Sequence, residues 1–439
     1  MTKPIWVIGG GLAGAEAAWQ IAEAGGEVIL YEMRPVRNTP AHTTPFLGEL
    51  VCSNSLKANN LENAAGLLKE ELRRLGSLLM AVAEETKVPA GGALAVDREK
   101  FARGITARIT QHPRIKVIRT EITAIPPDQP AVVASGPLTS PLLSRWLQGL
   151  FGEEYFYFFD AVAPIVTRES LEEERIFAAS RYGRGEAEYL NCPLNEEEYT
   201  RFWENLVTAE THPSHLGPDE KRFFEGCMPV EVLAARGKDT LRFGPLKPVG
   251  LIDPATGKRP YAVVQLRPEN QEKTLYNLVG FQTNLRWGEQ ARVFRLIPGL
   301  GRAEFVRYGV MHRNSFINSP KLLDFSLQWK GGRPLFFAGQ LIGVEGYVES
   351  IATGLVAGKN ILRQQEGKQP LVFPRETAIG ALIHYIITAK IRHFQPMNIN
   401  WGLFPPLAEK SKGKLGKNRA LADRALAALN RFIIDHLDK

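Results

Sequence analysis

The hydrophobic pattern at the start of the chain predicts a β-loop-α-β unit. Residues 4–8 predict a strand, and residues 15–24 predict an alanine-rich helix that follows a glycine-rich loop at residues 9–14. Two glycines directly after this helix end it, since glycine is common just past a helix C-terminus. Residues 27–32 predict a second strand that closes on a glutamate. The chain therefore begins as an α/β fold.

The pattern changes character in the middle of the chain. Leucines at helical spacing and short β-like apolar runs alternate up to about residue 168, and a strand-glycine-helix pattern returns beyond residue 300. Between these points charge and proline are more frequent, which predicts a second domain inserted into the first. The predicted elements are helices at 63–83, 140–150, 196–207, 219–224 and 346–362 and strands at 115–122, 131–135, 262–266 and 333–339.

Length and composition agree with this division. The chain has 439 residues, of which 44% are hydrophobic and 23% charged, as in ordinary globular enzymes. One hydrophobic core seldom organises so long a chain, which favours two domains. No apolar run approaches the ~20 residues of a transmembrane helix, and no basic and apolar leader precedes the first strand. We therefore expect a cytoplasmic protein without membrane attachment.

Three cysteines, Cys52, Cys192 and Cys227, are too few for a disulfide scaffold or a zinc site. We therefore expect no metal site, and each thiol is either packed or chemically active. Cys192 has no polar context and is expected to be structural. The net charge of +7 suggests an anionic partner, although a diffuse positive charge is also a common solubility feature.

The glycine-rich loop has the spacing of a dinucleotide-binding turn. It comprises Gly9, Gly10, Gly11, Leu12, Ala13 and Gly14. The first glycine permits the tight turn, the second lets the backbone approach a pyrophosphate, and the third allows close helix–strand packing. The helix start then offers unpaired N–H groups and a positive dipole end to the phosphates. Because Glu32 closes the next strand, it is placed to accept a hydrogen bond from a ribose hydroxyl.

A late strand-glycine-helix segment favours FAD over NAD as the dinucleotide. Residues 337–347 contain Gly339, Gln340, Gly346 and Tyr347. In two-part FAD folds such a unit returns to cover the flavin end, and its helix start stabilises negative charge on the reduced ring. The alternative is one more βα crossover. The fold class is thus α/β, a Rossmann-like two-part FAD-binding domain (1–167 and 301–439) interrupted by an inserted α+β substrate domain (168–300).

Four longer segments, together with the glycine loop, carry a family resemblance that covers essentially the whole chain. They are Val-Cys-Ser-Asn-Ser at 51–55, Phe-Glu-Gly-Cys-Met-Pro at 224–229, Arg-Tyr-Gly-Val-Met-His-Arg-Asn at 307–314, and Ala-Gly-Gln-Leu-Ile-Gly-Val-Glu-Gly-Tyr at 338–347. With them the chain resembles the folate- and FAD-dependent tRNA uracil-5-methyltransferases. The larger wobble-uridine modifying flavoproteins share the last segment. They carry an additional helical C-terminal domain and use a partner GTPase, so we prefer the methyltransferases.

The resemblance implies a specific reaction. The methylene group of 5,10-methylenetetrahydrofolate becomes the C5 methyl of the T-loop uridine (position 54) of tRNA, leaving tetrahydrofolate. Reduced FAD supplies the electrons, NAD(P)H reduces the flavin, and no obligate protein partner is expected. The carbon travels either directly from the folate to C5 or by way of the flavin, and the sequence favours neither route.

The resemblance implies catalytic roles for two of the cysteines. C5 of uracil becomes nucleophilic when a thiolate adds to C6, which requires a cysteine with thiolate character. The resemblance makes Cys227 this nucleophile, with Lys221 and Arg222 just before it; the alternative is a buried thiol. Cys52 resembles the second functional cysteine of the family, as an acid/base or as a guard of a reactive flavin.

Polar and basic residues near the end of the chain are candidates for substrate contacts. Arg307, His312, Arg313 and Asn314 form one polar run, which contacts substrate or flavin or is a solvated strand edge. The segment from residue 409 to residue 431 contains seven lysines and arginines but only two acidic residues. The candidate phosphate contacts are Lys410, Lys412, Lys414, Lys417 and Arg419, most of them in a predicted flexible loop at 410–417 before an amphipathic helix. Residues 286–292 are a second candidate.

Two other classes of function stay open at this point. One is a flavin-dependent oxidoreductase of a small molecule, for which the basic tail has no role. The other is a non-catalytic, flavin-bound RNA-binding or scaffold protein. The context of Cys227 favours the methyltransferase over the first, and the retained glycine loop, Glu32 and both cysteines favour it over the second.

Overall fold

The computed structural model describes residues 3–39, 41–152, 156–161, 163–183, 189–212, 228–268, 273, 275–309, 311–389, 394, 396–408 and 413–437. The strands are β1 (Ile5–Ile8), β2 (Val28–Glu32), β3 (Ser55–Ala58), β4 (Lys87–Val88), β5 (Ala93–Val96), β6 (Ile115–Arg119), β7 (Ala131–Val133), β8 (Phe156–Ala161), β9 (Ile165–Thr167), β10 (Phe177–Ala178), β11 (Leu190–Leu194), β12 (Ala262–Pro268), β13 (Leu275–Leu278), β14 (Phe305–Arg307), β15 (Met311–Phe316) and β16 (Leu335–Phe337).

The helices are α1 (Leu12–Glu23), α2 (Ala64–Arg74), α3 (Leu78–Glu85), α4 (Arg98–Gln111), α5 (Pro141–Phe151), α6 (Glu196–Val207), α7 (Val230–Ala235), α8 (Thr240–Phe243), α9 (Trp287–Phe294), α10 (Ser319–Leu322), α11 (Tyr347–Gln365), α12 (Ala378–Thr388) and α13 (Gly413–His436). None of the described helices combines the length and the apolar character that crossing a bilayer requires.

A five-stranded parallel sheet forms the centre of the first core. Its strand order is β16-β7-β1-β2-β6, and every neighbouring pair is parallel. The strands bury side chains on both faces, as expected where helices cover a parallel sheet on both sides. The predicted α/β class is confirmed, and residues from both ends of the chain build this one sheet.

Helices α1 and α11 pack in direct backbone contact on this sheet. A Cβ added at Gly354 would overlap the carbonyl oxygen of Ala13, and a Cβ at Gly358 would lie 2.7 Å from the carbonyl oxygen of Ala17. Small residues are therefore required at the crossing point. The contact sets the first turn of α1 against Gly354, about two turns into α11, and the two helices run in the same direction.

A second, six-stranded antiparallel sheet has its own core. Its order is β10-β11-β12-β13-β9-β14, and its core includes Phe202, Phe281 and Phe294. The chain enters and leaves this sheet through a two-stranded antiparallel ribbon of β8 and β15, in which Phe156 pairs with Phe316 and Ala161 with Met311. The inserted α+β arrangement fits the predicted two-part fold, and the boundaries at 168 and 300 remain a proposal.

Two predicted elements are wrong in detail. The single helix predicted at 63–83 is two helices, α2 and α3, because the chain turns at Gly76 and the Ser77 side chain accepts a hydrogen bond from Met80 N–H to start α3. The loop predicted at 410–417 is already helical from Gly413, because Asn418 and Arg419 bind Glu62 and hold the first turns of α13. The helix at 196–207 is confirmed, whereas 219–224 lies outside the described residues.

Glu71 of α2 offers a test of how the helices of the first core are joined. Its fully buried carboxyl group, whose pKa burial raises to about 8, accepts hydrogen bonds from the N–H groups of Ala378 (2.6 Å) and Ile379 (3.0 Å) at the start of α12. Glu71→Ala leaves two buried donors without an acceptor, so we expect the free energy of unfolding to fall by about 2–4 kcal/mol in urea denaturation. Glu71→Gln retains one acceptor and is expected to lose less; equal losses in the two variants would contradict this account.

Candidate functional site

A groove with an empty volume of about 1030 Å³ opens where the first turns of α1 and α11 meet the parallel sheet. Five parts of the chain line it: the glycine loop, the segment from Tyr31 to Val51, residues 120–122, residues 134–143, and the start of α11 with the turn before it. Of the predicted cofactor residues, the groove is lined by Gly9, Gly11, Leu12, Ala13, Glu32, Gly339, Gln340 and Tyr347.

The glycine loop brings the start of α1 to the groove without a side chain in the way. A Cβ at Gly9 would lie 2.5 Å from the carbonyl oxygen of Ala134, and one at Gly14 would overlap the carbonyl oxygen of Gly9. At Gly11, by contrast, a Cβ would meet nothing within 4 Å, and no side chain caps α1 there. The N–H groups of the first turn thus face open space, which is the arrangement that binds phosphate.

Glu32 lies at the bottom of the groove in a buried ion pair. Its carboxylate accepts hydrogen bonds from Gly10 N–H (2.8 Å) and from the backbone N–H (2.9 Å) and guanidinium (Nε, 3.0 Å) of Arg34, and Arg34 also donates to Glu49 at 2.8 Å. Burial raises the pKa of Glu32, but the hydrogen bonds and charge of Arg34 outweigh it and hold the pKa below its ordinary value. The carboxylate is therefore fixed and ionised beside the glycine loop.

The turn before α11 forms the other end of the groove. Gly339 N–H donates to Thr353 Oγ1 at 2.8 Å, and a Cβ at Gly339 would lie 3.0 Å from the Cβ of Ala13. The amide of Gln340 donates to the Glu345 carboxylate at 3.2 Å. Gly346 precedes the first turn of α11, which has no side-chain cap. A second helix start with unpaired N–H groups therefore faces the same groove.

The Tyr347 hydroxyl joins this end of the groove to residues 51–54, the Cys52 loop. Its Oη accepts hydrogen bonds from Cys52 N–H (2.8 Å) and Ser53 N–H (3.1 Å), and lies 2.9 Å from Cys52 Sγ. Burial, and after it the neighbouring Cys52, raises the pKa of Tyr347 well above its ordinary value, so the phenol keeps its proton. With both lone pairs of Oη engaged by N–H groups, this proton is directed at the sulfur.

The second sheet holds the same loop from the opposite side. Arg267 of β12 donates to Asn54 Oδ1 at 3.1 Å and to Ser53 Oγ. Asn54 is fully buried, and its amide donates to the carbonyl oxygens of Pro268 (2.8 Å) and Val96 (3.2 Å). The Cys52 loop is thus fixed between the two sheets by hydrogen bonds that leave no polar atom of the Asn54 side chain unpaired.

The remaining predicted residues are distributed as follows. Cys227, Lys410 and Lys412 lie outside the described residues; Arg307 ends β14; His312, Arg313 and Asn314 lie on β15; Lys414, Lys417 and Arg419 lie on α13. Arg419 is exposed and pairs with Glu62 at 3.2 Å. Cys192 is fully buried, and burial raises the pKa of its thiol, as suits a structural residue.

Three residues of the site are absent from the sequence-based candidates. Arg34 and Glu49 form the ion-pair network around Glu32, and Arg267 reaches the Cys52 loop from the second sheet. The position of Arg34 two residues after Glu32, at the end of a strand, was a usable signal. Arg267 had none, because its partners lie more than 200 positions away in the chain.

Comparison with known proteins agrees with this geometry. The sequence model of the family described as "Glucose inhibited division protein A" matches residues 4–369. GidA of Aquifex aeolicus, in its form I crystal, superposes with a TM-score of 0.69 at 17% identity, over 98% of this chain and 76% of that chain. At that identity the likeness concerns the fold alone, and it confirms the two-part α/β architecture.

Two curated relatives are much closer in sequence. Both are described as methylenetetrahydrofolate–tRNA-(uracil-5-)-methyltransferase TrmFO. The protein of Heliobacterium modesticaldum is 63% identical over 434 residues (99% of this chain, 98% of that protein), and that of Moorella thermoacetica is 63% identical over 430 residues (98% of each). The resemblance carried by the sequence segments is thereby confirmed, and the chain belongs to the methylenetetrahydrofolate–tRNA-(uracil-5-)-methyltransferase family.

Proposed function

We propose that this protein transfers the methylene carbon of 5,10-methylenetetrahydrofolate to C5 of a uridine in tRNA, and that this uridine is position 54 of the T-loop. The observation that carries the proposal is the 63% identity, over 434 residues, to a relative named for folate-dependent tRNA uracil-5 methylation. Tetrahydrofolate and 5-methyluridine are the products. The protein is proposed to act in the cytoplasm.

FAD is the cofactor that fits the groove. The uncapped start of α1 would hold the pyrophosphate, Glu32 would lie toward the ribose, and Gly339, Gln340 and Tyr347 would lie toward the flavin. Bound FAD in its reduced form would supply the two electrons that convert the methylene carbon to a methyl group, and NAD(P)H would reduce it again. The protein contributes a preformed cleft whose lining is largely apolar.

The thiols supply the chemistry at the uracil ring. In this proposal the Cys227 thiolate adds to C6, which gives C5 the electron density to form a bond to the one-carbon unit. A base then removes the C5 proton while the C–N bond to the one-carbon carrier breaks, which leaves an exocyclic methylene at C5. Two electrons and a proton convert this methylene to the methyl group as the C6–S bond breaks, which restores the C5=C6 double bond and frees the thiolate. Cys52 is the candidate base, because the Tyr347 hydroxyl directs its proton at Sγ and thereby favours the thiolate.

The proposal is tested by incubating purified protein with unmodified tRNA transcript, NADPH and 5,10-methylenetetrahydrofolate labelled with ¹⁴C in the methylene group, followed by nucleoside analysis. We expect the label in 5-methyluridine at position 54. Oxidation of NADPH without label in tRNA would instead indicate a small-molecule oxidoreductase, and label at a wobble uridine would indicate the other tRNA-modifying flavoproteins.

Replacing Cys227 tests the nucleophile. Cys227→Ala is expected to reduce methyl transfer by at least a thousandfold while FAD content stays near that of the unchanged protein, since the nucleophile is lost but the groove is intact. Cys192→Ala is the matched control and should methylate normally. A Cys227→Ala variant with ordinary activity would remove Cys227 from the mechanism.

Replacing Gly14 tests the groove. The added Cβ in Gly14→Ala would overlap the carbonyl oxygen of Gly9 and displace the loop from the start of α1. We expect at least a tenfold lower FAD occupancy, read as the ratio of absorbance at about 450 nm to that at about 280 nm, because the helix start no longer meets the phosphates. Gly149→Ala on α5 is the control, since a Cβ there meets nothing within 4 Å; equal FAD loss in both variants would exclude the proposed cofactor groove.

Replacing Tyr347 tests the thiolate argument. Tyr347→Phe removes the donor to Cys52 Sγ, so the thiolate loses a hydrogen bond worth about 1.5–3 kcal/mol and should form only at higher pH. The measurement is the pH profile of iodoacetamide alkylation at the Cys52 peptide, read by mass spectrometry. Arg98 and Arg267 act on the same loop and are unchanged. Tyr199→Phe, which also loses a buried hydroxyl, should leave the profile in place; an unshifted profile in Tyr347→Phe would refute the role of the phenol.

A further inference from the structure

The segment of the chain between α7 and β12 carries unusually exposed apolar side chains. Phe243 is 82% exposed and Ile252 59%, and the neighbouring Tyr182 is 64% exposed. Single exposed apolar residues are ordinary, but three in or beside one short segment make this segment a candidate contact surface. Phe243 is also the most exposed of the large hydrophobic residues in the described part of the chain.

Specific contacts fix this region to the second sheet. Tyr182 N–H donates to Gly250 O at 2.9 Å, which places its ring beside the segment that leads to Ile252. The Arg242 guanidinium lies 3.6 Å from the centre of the Tyr261 ring and donates to the Tyr261 carbonyl oxygen at 3.1 Å. The exposed side chains are therefore presented from an ordered backbone.

The same region carries positive charge that its own acids do not neutralise. Five of its cations are exposed: Arg236, Lys238, Lys247, Lys258 and Arg259. Asp239 pairs with Arg242 at 2.7 Å, and Asp253 accepts a hydrogen bond from Ala255 N–H at 2.9 Å. Among the contacts of the described residues, none of the five cations forms an ion pair with an acid. These charges are available to an external anion.

The other basic segments differ in this respect. Arg286 pairs with Glu210 at 2.6 Å and Arg292 with Glu289 at 2.7 Å. On α13, Arg419 pairs with Glu62. Arg286, Arg292 and Arg419 thus each have an acidic partner within the protein.

We propose that residues 236–259 together with Tyr182, the 236–259 surface, bind the tRNA substrate; the identity of the RNA rests on the proposed function. The exposed cations contact phosphates, and Phe243 stacks on an unpaired base, the combination by which proteins hold single-stranded and looped RNA. The surface also follows α7, which begins three positions after Cys227 in the sequence. Bound RNA would therefore lie along the same part of the chain as the proposed nucleophile.

The experiment measures binding of fluorescent, unmodified tRNA transcript to the FAD-containing full-length protein between about 50 and 300 mM KCl. In Lys247→Gln/Lys258→Gln/Arg259→Gln, loss of three phosphate contacts should make the slope of log K against log salt shallower by about two to three. Phe243→Ala should weaken binding by roughly 5- to 150-fold with the slope unchanged, because stacking is worth about 1–3 kcal/mol per base and involves no counterion.

A matched variant removes the same charge elsewhere. Arg286→Gln/Arg292→Gln/Arg419→Gln should keep the slope of the unchanged protein. If this variant becomes shallower and the 236–259 variant does not, the proposed surface is wrong. If both keep their slopes while the unchanged protein binds and methylates tRNA, the surface is again wrong but the proposed function stands; an unchanged protein that neither binds nor methylates tRNA would refute the proposed function itself.

Discussion

The backbone contact between α1 and α11 is the constraint on which the dinucleotide groove depends. Gly354 and Gly358 let the two helices approach until α11 touches the carbonyl oxygens of α1. Their uncapped first turns then open on one cleft, although they lie more than 300 positions apart in the chain. The cleft consequently has two positive helix ends, and the buried Glu32–Arg34–Glu49 network fixes the wall beside the first of them.

A second set of buried hydrogen bonds connects this cleft to the inserted sheet. The Cys52 loop lies between Tyr347 of α11 and Arg267 of β12; Tyr347 accepts two backbone hydrogen bonds from it, and Arg267 donates two to its side chains. Because buried donors left without acceptors are costly, the loop has little freedom to move independently of either sheet. The position of Cys52 Sγ thus depends on both cores, which are built from different parts of the sequence.

Local sequence rules predicted the parts of the structure that depend on neighbours in the chain. The glycine spacing gave the loop and the start of α1, and apolar spacing predicted α6 with its bounds. The break between α2 and α3 was missed because leucines continue at helical spacing across Gly76 and hide the turn. Arg267 was missed for a different reason: a hydrogen bond between distant strands leaves no trace in local periodicity. The role of Cys227 came from family resemblance, and it remains a prediction.

The ribbon of β8 and β15 has a consequence for how such a protein can change over evolutionary time. Both crossings to the antiparallel sheet run side by side, paired from Phe156↔Phe316 to Ala161↔Met311, so the two chain ends at the base of the ribbon are only about one strand spacing, ~5 Å, apart. A short turn would join them and close the parallel sheet without the insertion. The six-stranded sheet can therefore be exchanged or lost as one unit without altering the strand order of the parallel sheet.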